Sequence, residues 1–196
     1  MGLELVEHLR DGATVVFRPI RPDDGDALAA FHDGLSTRSV YRRFFFVHPH
    51  LSGPEVERFT RVDYVDRMAY VVEEDGRMVA VGRYERIPGT TEAEVAFVVT
   101  DDHQHLGIGT LLLDHLADAA RGHGIECFTA QTLSENREML AVFLSSGFPV
   151  TTSSEGGTVT VRFPIDPCEG YTRARASRAS RDTSVDPPEP SAPPAR

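Results

Sequence analysis

The stretch Val98–Leu113, VVTDDHQHLGIGTLLL, holds the residue types and spacing that can grip a phosphate. An apolar strand ends, a short polar loop follows, and glycines open an amphipathic helix. The first turn of a helix exposes unpaired backbone N–H groups and the positive end of the helix dipole. A loop that curls its amides around one point adds to that anion site. Gly107 and Gly109 allow the backbone to approach a phosphate with no Cβ in the way. The loop made of Gln104, His105, Leu106, Gly107, Ile108, Gly109 and Thr110 is therefore expected to cradle a pyrophosphate. No Lys-Ser/Thr pair follows the glycines, which excludes a nucleoside-triphosphatase loop. A third glycine at dinucleotide-fold spacing is also absent, and the strands before the loop read as antiparallel.

Elements that position this loop are legible on both sides. Thr14–Arg18 reads as a strand ended by Pro19 and Pro22. Asp23 or Asp24 can cap a helix through about Asp33, and Ser36–Phe46 and Glu55–Thr60 are helix-like. Met68–Glu74 and Arg77–Arg86 form a hairpin through Glu74-Asp75-Gly76, and Thr91–Val99 follows as a third strand. Gly109–Arg121 reads as a helix with Leu112, Leu113, Leu116, Ala117 and Ala120 on one face. Asp114, Asp118 and Arg121 mark its opposite face. A strand at Glu126–Leu133 and a helix capped by Ser134 or Asn136, running to about Ser145, come next. Strands at Phe148–Thr152 and Thr158–Phe163 close the order. Three antiparallel strands followed by a strand–helix–strand unit imply an α/β (α+β) fold: one mixed, mostly antiparallel sheet with helices on both faces.

Composition narrows the class. Of 196 residues 40% are hydrophobic, enough for one core, and no apolar run approaches the roughly 20 residues of a membrane helix. The N-terminus lacks the pattern of a secretory signal, so a soluble, cytoplasmic protein without a membrane role is expected. All 20 basic residues are arginine and the net charge is −10. That balance argues against nucleic-acid binding and fits a positively charged partner, such as a lysine-bearing protein or a polyamine. Residues 1–166 are expected to form the folded domain, and 167–196, Arg- and Pro-rich with almost no large apolar residue, a disordered tail. Cys127 and Cys168 lie outside any metal spacing, and neither His48-Pro49-His50 nor His103-Gln104-His105 gives a zinc ligand set, so no metal is expected. Gly-x-Ser-x-Gly is absent, so no serine nucleophile elbow is predicted.

The pattern Gln-x-x-Gly-x-Gly after a strand resembles the acetyl-CoA loop of the GCN5-related N-acetyltransferase (GNAT) superfamily. Asn136 heading a helix that ends in FLSSGF, residues 143–148, is similar to the family's second half. LSTRSVYRRFF, residues 35–45, after VVFRPIRPDD, resembles the branch with bacterial protein lysine acetyltransferases. The resemblance covers residues 12–165. It implies an N-acetyltransferase with acetyl-CoA as co-substrate and a protein lysine or small amine as acceptor. It also implies roles. The loop His105–Thr110 would donate N–H groups to the pyrophosphate. Phe97, Val98 and Val99 would line the pantetheine arm, laid along the strand edge, with the acetyl carbonyl near the Val98 N–H. Asn136 would touch the pantetheine or sulfur region, or act only as an N-cap. Arg137 reads as a phosphate partner or a solvated arginine.

Glu94 is the candidate general base by the same resemblance, since AEVAF places it where the branch carries a glutamate. It shares a strand face with Ala96 and Val98; its other reading is a solvated carboxylate. Glu92 and Asp101 are fallbacks. Phe143 stands where many members carry a tyrosine acid, which leaves water, Tyr41, Tyr70 or Tyr84 to return the proton. A small-amine acetyltransferase and a non-catalytic acyl-CoA-binding module remain alternatives, as do a monomer and a homodimer.

Overall fold

The computed structural model describes residues 4–182. Its eight strands are β1 (Leu5–His8), β2 (Thr14–Pro19), β3 (Arg67–Glu74), β4 (Arg77–Arg86), β5 (Glu92–Val99), β6 (Cys127–Leu133), β7 (Thr151–Glu155) and β8 (Thr158–Pro164). They form one sheet in the order β1-β2-β3-β4-β5-β6-β8-β7. Neighbours are antiparallel except β5 and β6, which run parallel. A parallel pair needs a crossover, and helix α4 (Ile108–Gly122) supplies it. The mixed, mostly antiparallel sheet with helices on both faces agrees with the sequence expectation.

Helices α1 (Gly25–Asp33), α2 (Thr37–Phe44) and α3 (Gly53–Thr60) lie between β2 and β3. On one face, Leu28, Phe31 and Val40 join Ala69, Val71, Met78 and Val81 in a buried cluster. On the other, Leu112, Leu113, Leu116, Ala117 and Ala120 of α4 pack with Val79, Tyr84, Val95 and Phe97. Helix α5 (Arg137–Leu144) adds Phe143 to this larger cluster. Burial alternates along β5 with period two: Ala93, Val95 and Phe97 are buried toward α4, while Glu92, Glu94, Ala96 and Val98 face the other way.

The parallel join is short. Its register runs Glu92↔Cys127, Ala93↔Phe128 and Glu94↔Thr129, and ends there, although β5 continues to Val99. Beyond Glu94 the two strands part and a wedge opens between them.

Three sequence expectations need correction. Strand β1 was not anticipated, because four residues with alternate ones exposed carry almost no periodic signal. Strand β7 starts at Thr151 rather than Phe148, because the Phe148 ring is stacked between Phe163, at 5.6 Å, and Tyr171, at 4.1 Å. The segment read as a disordered tail contains helix α6 (Glu169–Asp182). Tyr171 is buried in the core, Arg178 holds Asp114 at 2.9 and 3.0 Å, and Arg175 reaches Asp118 at 2.8 Å. The polar face of α4 is thus covered, and Asp114 is buried. The docking is close: a Cβ on Gly147 would stand 2.5 Å from the Gly170 carbonyl oxygen. Charge complementarity does here what apolar composition could not signal. The rest of the expected tail, residues 183–196, lies outside the described residues.

Candidate active site

The loop after β5 makes one 3-10 turn at Asp101–His103 and then curls. His105 has φ 68° and Gly107 φ 100°, both left-handed, a region that a β-carbon disfavours. Among the described residues, the N–H groups of residues 105–109 donate to no protein acceptor. Thr110, expected as a further donor, instead gives its N–H to the Gly107 carbonyl at 3.0 Å. Free amides therefore converge at the start of α4, where the helix dipole adds positive potential.

Side chains brace this loop from behind. Gln104 Nε2 donates to the Val99 carbonyl at 3.2 Å and to Ser39 Oγ at 3.1 Å, tying loop, strand and α2 together. His103 lies between carboxylates, with Nε2 2.8 Å from Glu74 and Nδ1 2.8 Å from Asp102. Burial works against its charged form, but the bonds to Glu74 and Asp102 win and raise its pKa. The Asp102 carboxyl, bonded by His103 and Thr100, is lowered to about 2.

The free edge of β5 can be read from its bonds. Ile87 N–H donates to the Glu92 carbonyl at 2.8 Å and Thr100 N–H to the Val79 carbonyl at 2.9 Å. In an antiparallel ladder, alternate residues turn both backbone groups to the same neighbour. Residues 92, 94, 96, 98 and 100 therefore bond to β4, in unbroken register. The Val98 amide, expected beside the acetyl carbonyl, is turned away from the wedge. Phe97 and Val99 present their amides to it instead.

A cleft of about 480 Å³ occupies the wedge. Phe97, Val98, Val99, Gln104, His105, Gly107, Ile108, Gly109, Thr110 and Asn136 all line it. Leu106 does not: it packs against the core, and its carbonyl accepts the Arg10 N–H at 3.4 Å. Asn136 is nearly fully buried and caps α5, with Oδ1 accepting the Met139 N–H at 3.2 Å. Arg137 lines the cleft, and so do two arginines the sequence reading missed, Arg10 and Arg42. Arg10 leans from the β1–β2 turn, its Nε 3.6 Å from where a Gly107 β-carbon would be. Arg42 on α2 pairs with Glu138 on α5 at 3.2 Å, joining the two sides of the cleft. Nothing in local sequence links position 10 to position 107; β1 pairing with β2 brings them together.

The three candidate bases differ in what already holds them. Glu92 accepts from Arg162 Nη2 at 2.7 Å and Nε at 3.2 Å, and that bond lowers its pKa. Asp101 accepts from Ser36 N–H at 3.0 Å, Ser36 Oγ at 2.7 Å and Ser39 Oγ at 2.9 Å. Burial pushes its pKa up, but the bonds from Ser36 and Ser39 outweigh that and lower it. Glu94 is exposed and makes no side-chain hydrogen bond or ion pair among the described residues. It stands at the last rung of the β5–β6 join, at the mouth of the wedge.

Val98 is shared by two cavities. It lines the main cleft and also a second, smaller cavity with Arg43, Phe44, Phe59, Arg83 and Ala96. Two of the three tyrosines considered for proton return are placed elsewhere. Tyr84 is buried with its hydroxyl donating to the Val65 carbonyl at 3.0 Å, and Tyr70 lies 6.1 Å from His115 on the α4 side. Tyr41 is exposed and does not line the main cleft. Phe143 is core, its ring 5.8 Å from both Phe97 and Phe163. Among the described residues no His, Cys, Asp and Glu group is placed to hold a metal ion, and no helix is long and apolar enough to cross a membrane.

The pattern of the acetyltransferase (GNAT) family matches residues 35–148. The GNAT domain of S. lividans PAT has a similar structure, with TM-score 0.78 and 40% identity over 82% of this chain and 96% of that one. An acetyltransferase of Pseudomonas aeruginosa is 33% identical over 75% of this chain and 81% of its own length. Acetyltransferase Pat of Mycolicibacterium smegmatis is 30% identical over 82% of this chain, which spans only 49% of Pat. The chain belongs to the GNAT family and is an N-acetyltransferase with acetyl-CoA as its co-substrate.

Proposed function

We propose that the acceptor is a lysine side chain of a protein and that Glu94 takes its proton. The observation that carries this reading is the parting of β5 from β6 at Glu94, with the one unengaged carboxylate of the three at the mouth of the wedge. Likeness to the S. lividans PAT domain and to M. smegmatis Pat supports a protein acceptor.

Each part then has a task. The pyrophosphate sits on the amides of residues 105–109, with Arg10 against it. Pantetheine lies along the open β5 edge as an added strand and bonds Val99 first, since Val99 is nearer the loop. The thioester carbonyl reaches Phe97, whose N–H stabilises the oxyanion. Val98, with its side chain toward the second cavity, marks where the amine enters.

At neutral pH a lysine of ordinary pKa must lose a proton at a cost of ~4–5 kcal/mol before it can attack. Glu94, directly or through water, accepts that proton. Nitrogen attacks the carbonyl carbon, the tetrahedral intermediate collapses, and the thiolate leaves. No described tyrosine lines the cleft, so water returns the proton to sulfur.

The test is incubation of the protein with acetyl-CoA and a protein lysate, followed by mapping of acetyl-lysine, in parallel with Glu94→Gln. New acetyl-lysines that need Glu94 are expected. Absence of acetyl-lysine alongside rapid acetylation of polyamines would overturn the protein acceptor.

A further inference from the structure

The second cavity holds two arginines that the reaction above does not use. Arg83 stands opposite Ala96 in the β4–β5 register and shares its face. Its guanidinium carbon lies 4.3 Å from the centre of the Phe59 ring. Arg43 enters from α2 and lies 5.1 Å from the centre of the Phe44 ring. Both line the cavity that shares Val98 with the coenzyme cleft.

Nearby arginines have their carboxylates: Arg42, next to Arg43 on α2, pairs with Glu138, and Arg58 on α3 holds Glu85 at 2.8 and 2.9 Å. Among the described residues, Arg43 and Arg83 have no carboxylate at ion-pair distance. The charge of Glu94 reaches Arg43 without contact. Burial draws both guanidiniums below their usual range, Arg83 to about 9, with the nearby charge of Arg43 adding to the effect. An incoming anion would relieve both. In a chain of net charge −10, two arginines with no carboxylate in contact among the described residues, at one small apolar site, run against the overall balance. The planar guanidinium fork matches a carboxylate in two parallel bonds and is the weakly hydrated cation suited to a half-buried site.

We propose that the acceptor carries a carboxylate close to its nucleophilic nitrogen and that Arg83 and Arg43 bind it. In the protein-lysine reading on which this rests, the carboxylate belongs to an aspartate or glutamate beside the acceptor lysine. The arginines face the acceptor, and neither lines the coenzyme cleft.

The experiment measures kcat/KM for short peptides in which one lysine is flanked by Glu, Gln or Arg, and for lysine-like free amino acids and their amides. Glu-flanked peptides are expected to exceed Gln-flanked ones by roughly tenfold, the size of one charge-assisted contact. The Arg83→Gln and Arg43→Gln variants should shrink that ratio toward one. Equal rates on Glu- and Gln-flanked peptides overturn the proposal and leave the protein acceptor standing. So does a ratio unchanged in both variants. If no peptide reacts but free amino acids outpace their amides, the protein acceptor fails and the carboxylate contact stands. The wild-type ratio needs no variant to fold.

Discussion

Glu94 stands directly across the β4–β5 ladder from Glu85, carboxylate column against carboxylate column. Like charges in facing positions repel. Here one of them is neutralised: Arg58 grips Glu85 with both bonds from one nitrogen, while Glu94 keeps its oxygens free. The strand pair thus supplies one anchored carboxylate and one unengaged carboxylate beside the wedge.

Replacing Glu94 by Gln should lower kcat by roughly 10²- to 10⁴-fold, the range of a lost general base. Acetyl-CoA affinity should stay within about twofold, since Glu94 does not line the coenzyme cleft. Glu92→Gln breaks an exposed pair with Arg162 and should cost little in rate. Steady-state kinetics with calorimetric titration of acetyl-CoA separate these outcomes. A Glu92 variant as damaged as the Glu94 variant would reassign the base.

Gly107→Ala places a methyl group on a residue with φ 100°, at a strain of about 1–2 kcal/mol, and fills the cup of free amides. The KM for acetyl-CoA is expected to rise at least tenfold. Arg10→Ala should raise the same KM less, by a few fold, and flatten its dependence on salt concentration. An unaltered salt dependence would remove Arg10 from the phosphate site.

Helix α6 should hold the domain together. Tyr171→Ala deletes a core ring and should cost about 3–5 kcal/mol. Arg178→Ala leaves Asp114 buried without its partner and should cost ~3–5 kcal/mol, the order found when one half of a buried pair is removed. Asp114→Asn combined with Arg178→Ala should recover part of that loss, because an amide is cheaper to bury than a charge. Denaturant midpoints for the three variants decide the matter.

His103 makes the brace behind the loop depend on pH. Its native pKa is raised above the reference 6.5. A raised native value means that charged His103 stabilises the fold fully below the unfolded pKa. That contribution fades as pH climbs through the raised native value. Melting temperatures of wild type and His103→Gln should differ most below pH 6.5 and converge at higher pH. A difference that stays constant across the range would show that the ring matters only for its shape.

Local sequence sufficed for whatever depends on neighbours along the chain. The period-two alternation of β5 and the 3.6-residue stripe of α4 gave the sheet, the crossover helix and the order of elements. Gln104, Gly107 and Gly109 marked the loop because their spacing is local, and of the three only Gly107 takes up a left-handed turn ahead of the helix. Alternation also put Glu94 on the correct face, but it carries no information about which side of a strand is left unpaired. The tertiary structure decided that: β6 leaves β5 after Glu94, and the ladder to β4 turns the Phe97 and Val99 amides, not that of Val98, into the wedge. It alone brought Arg10 to Gly107 and Arg178 to Asp114 across 64 positions. Charges so far apart in sequence meet only once the sheet and α4 exist to bring them together. No periodicity records such a meeting, because the interaction belongs to the pair and not to either residue's neighbourhood.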